Sequence, residues 1–208
     1  MAQHVSLDDR AAVDDFFFRR TEAGRLLAAD AERVARACHE MAVRFHAGGR
    51  LIVFGNGGCS ADAQHLAVEF VHPVIVGKRA LPAFSLTNDV ATLTGVARRA
   101  GFDEVFAHQL RYVGEPADIA LGVSPDGHCE NVRRGLEQAS ELGMLTIALV
   151  GGDGGVIGDS EHVRHTLIAR SDDPAVVKEV HVTIYHVLWE LVHVFFEHPG
   201  VLAPEVIR

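Results

Sequence analysis

An α/β fold built on a parallel β-sheet is what this sequence predicts, and three observations predict it. Short apolar runs recur at "RLIVFG" (50–55), "PAFSL" (82–86), "DIALGVS" (118–124), "MLTIALVG" (144–151) and "VRHTLIA" (163–169). Helix-length segments separate most of them, over 60–71, 89–98 with 103–112, and 128–142. The first run is bounded by glycines and apolar throughout, as a strand buried on both faces is. Strands alternating with helices imply βαβ units and a sheet covered on both sides.

Taken in order, the chain opens with a helix expected over 8–47. From Val34, apolar side chains fall at Cys38, Met41 and Phe45, one face of a 3.6-residue period. "AGGR" (47–50) ends that helix with glycines suited to a left-handed cap. Phe16, Phe17 and Phe18 read as an interhelix or intersubunit contact. The last long segment, 175–198, carries Val180, Ile184, Val187, Leu188, Leu191 and Phe195 on one stripe. It has a second apolar side, more than one sheet face needs, which points to burial in an oligomer. No internal repeat or linker interrupts the chain. The expected division is an N-terminal helical segment (1–48), a main domain (49–198) and a C-terminal tail (199–208).

At 208 residues, with 48% apolar and 23% charged residues, the chain suits one domain with a full core. No apolar run approaches the roughly 20 residues that span a bilayer. The acidic, polar start "MAQHVSLDDRAAVDD" is not that of a signal or transit peptide, so a cytoplasmic protein is expected. A formal charge of −9, with basic residues only in scattered pairs, does not advertise nucleic-acid binding. Three cysteines with no CxxC make a disulfide framework an unfit reading.

The chemistry concentrates after the first strand. "GNGGCS" (55–60) lacks the lysine of a P-loop and the third glycine of a dinucleotide fingerprint. Its place between strand and helix suits an anion, because N–H groups and the helix dipole point outward there. A plain tight turn fits the residues equally well. On the helix that follows, His65 and Glu69 stand at i and i+4, on one face. They suit metal ligation or acid/base work, and a solvated helix face also accounts for an isolated pair.

"GRLIVFGNGGCSADAQHLAVEF", "LGVSPDGHCENV", "LVGGDGG" and "VKEVHVTIYHVLWELV" together resemble, in order and spacing, the phosphoheptose (sedoheptulose-7-phosphate) isomerases of the sugar isomerase (SIS) superfamily. The resemblance runs from about Leu26 to Phe196. It implies a flavodoxin-like three-layer sandwich with a five-stranded parallel sheet. It also implies a homo-oligomer, tetramer or dimer, with active sites between subunits, and a sugar-phosphate substrate interconverted between aldose and ketose. By resemblance Glu69 and His186 are the catalytic pair and Asn56 touches substrate, with Gly57, Gly58 and Cys59 beside it. His65, Glu69 and His186 match residues through which some members hold zinc. The alternative reading is a non-catalytic SIS module that binds a sugar derivative or a protein partner.

The family's phosphate loop is rewritten here as "SPDGHC" (124–129). Ser124 and Gly127 survive, Pro125 removes a backbone donor, and Cys129 replaces a serine, as Cys59 does in the first turn. Asp126 places a carboxylate where a hydroxyl is expected. Facing a phosphate about 4 Å away, it would be repelled by roughly 4 kcal/mol at an effective dielectric near 20. The alternative is that Asp126 turns away to cap the next helix. Arg99, next to Arg98, and Lys178 are the cations that rebuild an anion site from another direction. Lys178 stands where a glutamine would complete the zinc site, and an ammonium has no lone pair to give. Cys59 and Cys129, with His128 and His65 near them, suit a soft-metal or redox site, but a small replacement for serine is the simpler reading.

Overall fold

The structure is a computed structural model and describes residues 10–202. Its elements are α1 (Arg10–Ala29), α2 (Ala31–His46), β1 (Leu51–Gly55), α3 (Gly58–Val71), β2 (Ala83–Ser85), α4 (Val90–Ala100), α5 (Val105–Val113), β3 (Ile119–Ser124), α6 (Glu130–Glu141), β4 (Leu145–Gly151), α7 (Gly155–Gly158), β5 (His165–Ala169) and α8 (Pro174–Glu197). All the strand pairings are parallel and their order is β2-β1-β3-β4-β5, the flavodoxin-like arrangement. No described helix is long and apolar enough to cross a membrane.

Strand alternation builds two cores from one sequence. In β1, Leu51 and Val53 feed one core while Ile52 and Phe54 feed the other. The first core takes α2 through Met41 and Phe45, α3 through Leu66 and Phe70, and α8 through Ile184 and Leu188. The second takes α4 through Val96, α5 through Phe106 and Leu110, and α6 through Val132 and Leu136. Every residue of β1, β3 and β4 is buried, which is why these strands read as unbroken apolar runs.

The helix expected over 8–47 is two helices. Asp30 leaves helical geometry (φ −93°, ψ 14°), and its carboxylate is drawn to Arg170 just beyond β5. Residues 8 and 9 lie outside the described residues. The four-residue α7 was not anticipated. Phe17 and Phe18 are exposed, and the Arg19 guanidinium lies 4.9 Å from the centroid of the Phe16 ring. The start of α8 follows from its cap, where Asp173 accepts the Ala175 N–H at 2.9 Å and Pro174 occupies the first turn. The second apolar side of α8 is partly used by α1 and α2. Val187 and Leu191 remain half-buried, lining with Leu27 and Val34 an apolar groove of about 280 Å³.

The bottom of the sheet is tied by one carboxylate. Asp118, whose side chain is 2% exposed, accepts the Arg50 backbone N–H at 2.7 Å, the Glu115 N–H at 3.0 Å and the Arg50 guanidinium at 2.6 Å. This joins the entry of β1 to the entry of β3 and fixes their register. Arg50→Met removes the cation and leaves Asp118 buried with only backbone donors. Stability should fall by about 3 kcal/mol, read as a lower urea midpoint at unchanged slope.

Candidate active site

Neighbouring β1 and β3 send their following helices to opposite faces, α3 to the first core and α6 to the second. Ligands in open α/β sheets bind where the chain diverges in this way. Gly55 lets the strands close here, because a Cβ on it would fall 2.8 Å from the Val123 carbonyl oxygen and 2.9 Å from the Cys59 Cβ. Just beyond, Asn56 and Asn131 exchange amide hydrogen bonds of 2.7 and 2.9 Å. Asn131, in the first turn of α6, is 2% exposed and was missed in the sequence. Its partner lies 75 residues away, so no local signal marked it.

That loop satisfies itself. The buried Ser124 hydroxyl accepts the Gly127 N–H at 3.0 Å. Asp126 Oδ1 accepts the His128 N–H at 2.9 Å and the Ser124 hydroxyl at 3.3 Å. Asp126 therefore turns its carboxylate onto the loop's own donors, one residue short of Cys129, the half-buried N-cap of α6. Gly127, at φ +74°, admits no side chain, since a Cβ would lie 1.8 Å from the Gly154 carbonyl oxygen. Its own carbonyl accepts the Ile157 N–H at 3.0 Å, so the loops after β3 and β4 are interlocked.

His65 and Glu69 lie on the flank of α3 that faces α8. His65 Nε2 is 3.1 Å from Glu69 Oε1, and its Nδ1 is 2.7 Å from the Tyr185 hydroxyl. The His186 ring stands edge-on to His65, with centroids 5.4 Å apart. Burial, with the Asp62 and Glu69 carboxylates nearby, pushes the Tyr185 phenol up to about 12. The phenol stays protonated, and the His65 ring bridges it to the Glu69 carboxylate through its two nitrogens. Trp189 Nε1 donates to the Glu69 carbonyl at 2.9 Å and anchors the far end of the pair.

The fold brings His65, Glu69 and His186 together within one chain, each offering a ligand atom within 4.8 Å of the others. The expectation that a neighbouring subunit is needed for this convergence is corrected: α8 of the same chain supplies His186. Two imidazoles and a carboxylate, exposed or half-buried with an open side, form a donor set that fits zinc. Lys178 does not face this cluster as a free cation. Its ammonium is 2.5 Å from Asp62 Oδ1 and donates to the Gly58 carbonyl at 2.8 Å. Arg99 is exposed on the last turn of α4, on the opposite side of the sheet from α3 and α8, so this chain does not bring it to the cluster. Gly57 and Gly58 are exposed at the start of α3, while Cys59 is buried behind them. Burial and the adjacent Asp62 push the Cys59 thiol up to about 12, far from a reactive thiolate. A charged cavity of about 540 Å³ lies elsewhere, lined by Asp30, Arg33, Arg36, Glu40 and His165, and contains none of these residues.

The family model for the SIS domain matches residues 20–151, from within α1 to the end of β4. A phosphoheptose isomerase of Solidesulfovibrio magneticus is 40% identical over 175 residues, covering 84% of each chain. The chain belongs to the phosphoheptose isomerase family of SIS-domain proteins. Solved phosphoheptose isomerases of Neisseria gonorrhoeae and Francisella tularensis superpose on this family member with TM-scores of 0.80 and 0.81. They are 30% and 31% identical, covering 90% and 88% of this chain and 98% and 97% of theirs. The SIS-domain fold with the five-stranded parallel sheet expected from the sequence is therefore found.

The amide pair at the crevice gives a direct test. Asn56→Ala and Asn131→Ala should each destabilise this SIS domain by about 1–2 kcal/mol. The double variant should cost little more than either, a non-additivity measured in a urea-unfolding cycle.

Proposed function

We propose that this chain, by family an isomerase of a phosphorylated sugar, interconverts ketose and aldose by moving a proton between adjacent carbons, with Glu69 and His186 as base and acid. The convergence of the Glu69 carboxylate and the His186 imidazole on one open seam, both oriented through His65, carries this reading. Glu69 takes the proton from the carbon beside the carbonyl, giving an enediol, and returns it to the neighbouring carbon. His186 moves the accompanying proton between the two oxygens. Asn56, with half of its amide held by Asn131, keeps one N–H and one oxygen lone pair for a sugar hydroxyl.

Gly57 and Gly58 on the first turn and Ser124, Asp126, Gly127 and Cys129 on the second form the remaining substrate contacts, with the Cys59 thiol buried behind the first turn and out of reach of the sugar. Arg99 joins such a site only from a second copy of the chain. The half-buried Val187 and Leu191 and the exposed Phe17 and Phe18 support a homodimer or tetramer. His65, Glu69 and His186 are the residues that would hold zinc, which would polarise the sugar carbonyl as a Lewis acid when bound. The working compartment is the cytoplasm.

Asp126 favours a second reading. Its carboxylate already occupies the His128 N–H, so a module that binds a sugar derivative without turning it over is the competing assignment. Seven-, six- and five-carbon sugar phosphates in deuterated water separate the two by proton NMR. The isomerase incorporates solvent deuterium at the carbon beside the carbonyl. Glu69→Gln should lower kcat about 10³-fold with KM changed only a few-fold. No exchange with any of the three substrates would favour the binding module.

A further inference from the structure

The packing between α3 and α8 holds a second cluster that the isomerase chemistry does not use. Cys59, Asp62 and His181 are 6%, 3% and 1% exposed, and each offers a ligand atom within 4.8 Å of the others. Among the described residues, five buried side-chain nitrogens and oxygens lack a hydrogen-bond partner. Two of them, on Arg19 and His165, belong to side chains paired with carboxylates at 3.1 and 3.2 Å. The other three are Asp62 Oδ2 and both ring nitrogens of His181. The Val150 carbonyl is near the His181 ring without reaching hydrogen-bond geometry. Native interiors rarely leave such groups bare, and here Asp62 and His181 each bring a ligand atom within 4.8 Å of the other and of a thiol.

We propose that Cys59, Asp62 and His181 form a second metal site, for a divalent cation of the zinc class, separate from His65, Glu69 and His186. A thiolate, a carboxylate and an imidazole are the ligand types that zinc selects, with a fourth position left for water. The ligands are in a suitable state or reach it on binding. Burial lowers the pKa of His181 and keeps its ring neutral, the form that ligates. The Cys59 thiol gives up its proton to solvent as the metal–sulfur bond forms, so one proton leaves per cation bound. Lys178 holds Asp62 Oδ1 and leaves Oδ2 without a partner. Before binding, Asp62 and Lys178 cancel; afterwards the cluster carries one net positive charge. Lys178→Gln should therefore bind the cation more tightly. A buried water would satisfy Asp62 and His181 equally well but has no need of the thiol. The sulfur decides between the two occupants.

This site does not rest on the isomerase reading, and cobalt(II) tests it alone. The full chain, freed of affinity tag and treated with chelator, is titrated with Co²⁺ while the sulfur-to-cobalt charge-transfer band in the near ultraviolet is followed. His65, Glu69 and His186 contain no sulfur and contribute nothing to that band. The expected result is a band that saturates at about one Co²⁺ per chain and is displaced by Zn²⁺. It should be lost in Cys59→Ser, weakened at least about tenfold in affinity in His181→Gln, and kept in Glu69→Gln and Cys129→Ser. Melting curves without metal check that the variants fold, and a Zn²⁺-induced rise in Tm confined to chains with Cys59 intact would add support. A wild-type chain with no band means that water fills the cluster and overturns the proposal. A band that survives Cys59→Ser, or vanishes in Cys129→Ser instead, overturns it as well.

Discussion

Everything chemical in this molecule depends on how α8 lies along α3. Both helices pack on the same sheet face, and their contacts advance together along the two sequences, so they run in the same direction. Three polar ties hold them in register: Lys178 to the Gly58 carbonyl, Tyr185 to His65, and Trp189 to the Glu69 carbonyl. Each joins residues 120 positions apart, so the two helices keep step along the whole of α3. Leu66 and Phe70 share the core with Ile184 and Leu188, and this apolar burial holds the polar ties in place. His186 has no hold of its own on the sheet. It reaches His65 and Glu69 because its neighbours Tyr185 and Trp189 are buried.

The crevice between β1 and β3 shows the opposite economy. Its walls are set by backbone contacts at Gly55 and Gly127, where no side chain fits. Its polar groups are mostly engaged with one another: Asn56 with Asn131, Ser124 with Gly127, and Asp126 with His128. Such a site is shaped before any ligand arrives, which lowers the entropy that binding must overcome. It also means that an incoming anion competes with an internal carboxylate for the same donor.

The parts of the fold that were legible in the sequence are those whose cause is local. β1, β3 and β4 announced themselves because burial on both faces demands continuous apolar residues. α8 did so through its long stripe. The break between α1 and α2 was hidden because the pattern on either side is helical, and the residue that draws Asp30 aside lies 140 positions away. The site divides in the same way. His65 and Glu69 were visible as a four-residue spacing on one helix, whereas His186 was found through resemblance to a family. Asn131, Tyr185 and Trp189 act through partners 75 to 120 residues distant, and nothing in their immediate neighbours records that. Lys178 was visible as a charge but not as a charge already neutralised by Asp62.

The clasp between Gly127 and the segment around Gly154 has an evolutionary corollary. Gly155 also lies so close to this loop that a Cβ on it would sit 2.6 Å from the Asp126 carbonyl oxygen. Two loops that touch through bare backbone can drift only as a pair. A graft of residues 125–128 from another lineage would bring its own backbone path and collide with 153–157 unless that stretch travelled with it. Changes of ligand preference in this scaffold are therefore expected to arrive as paired loop exchanges, with single substitutions confined to side chains that point away from the clasp.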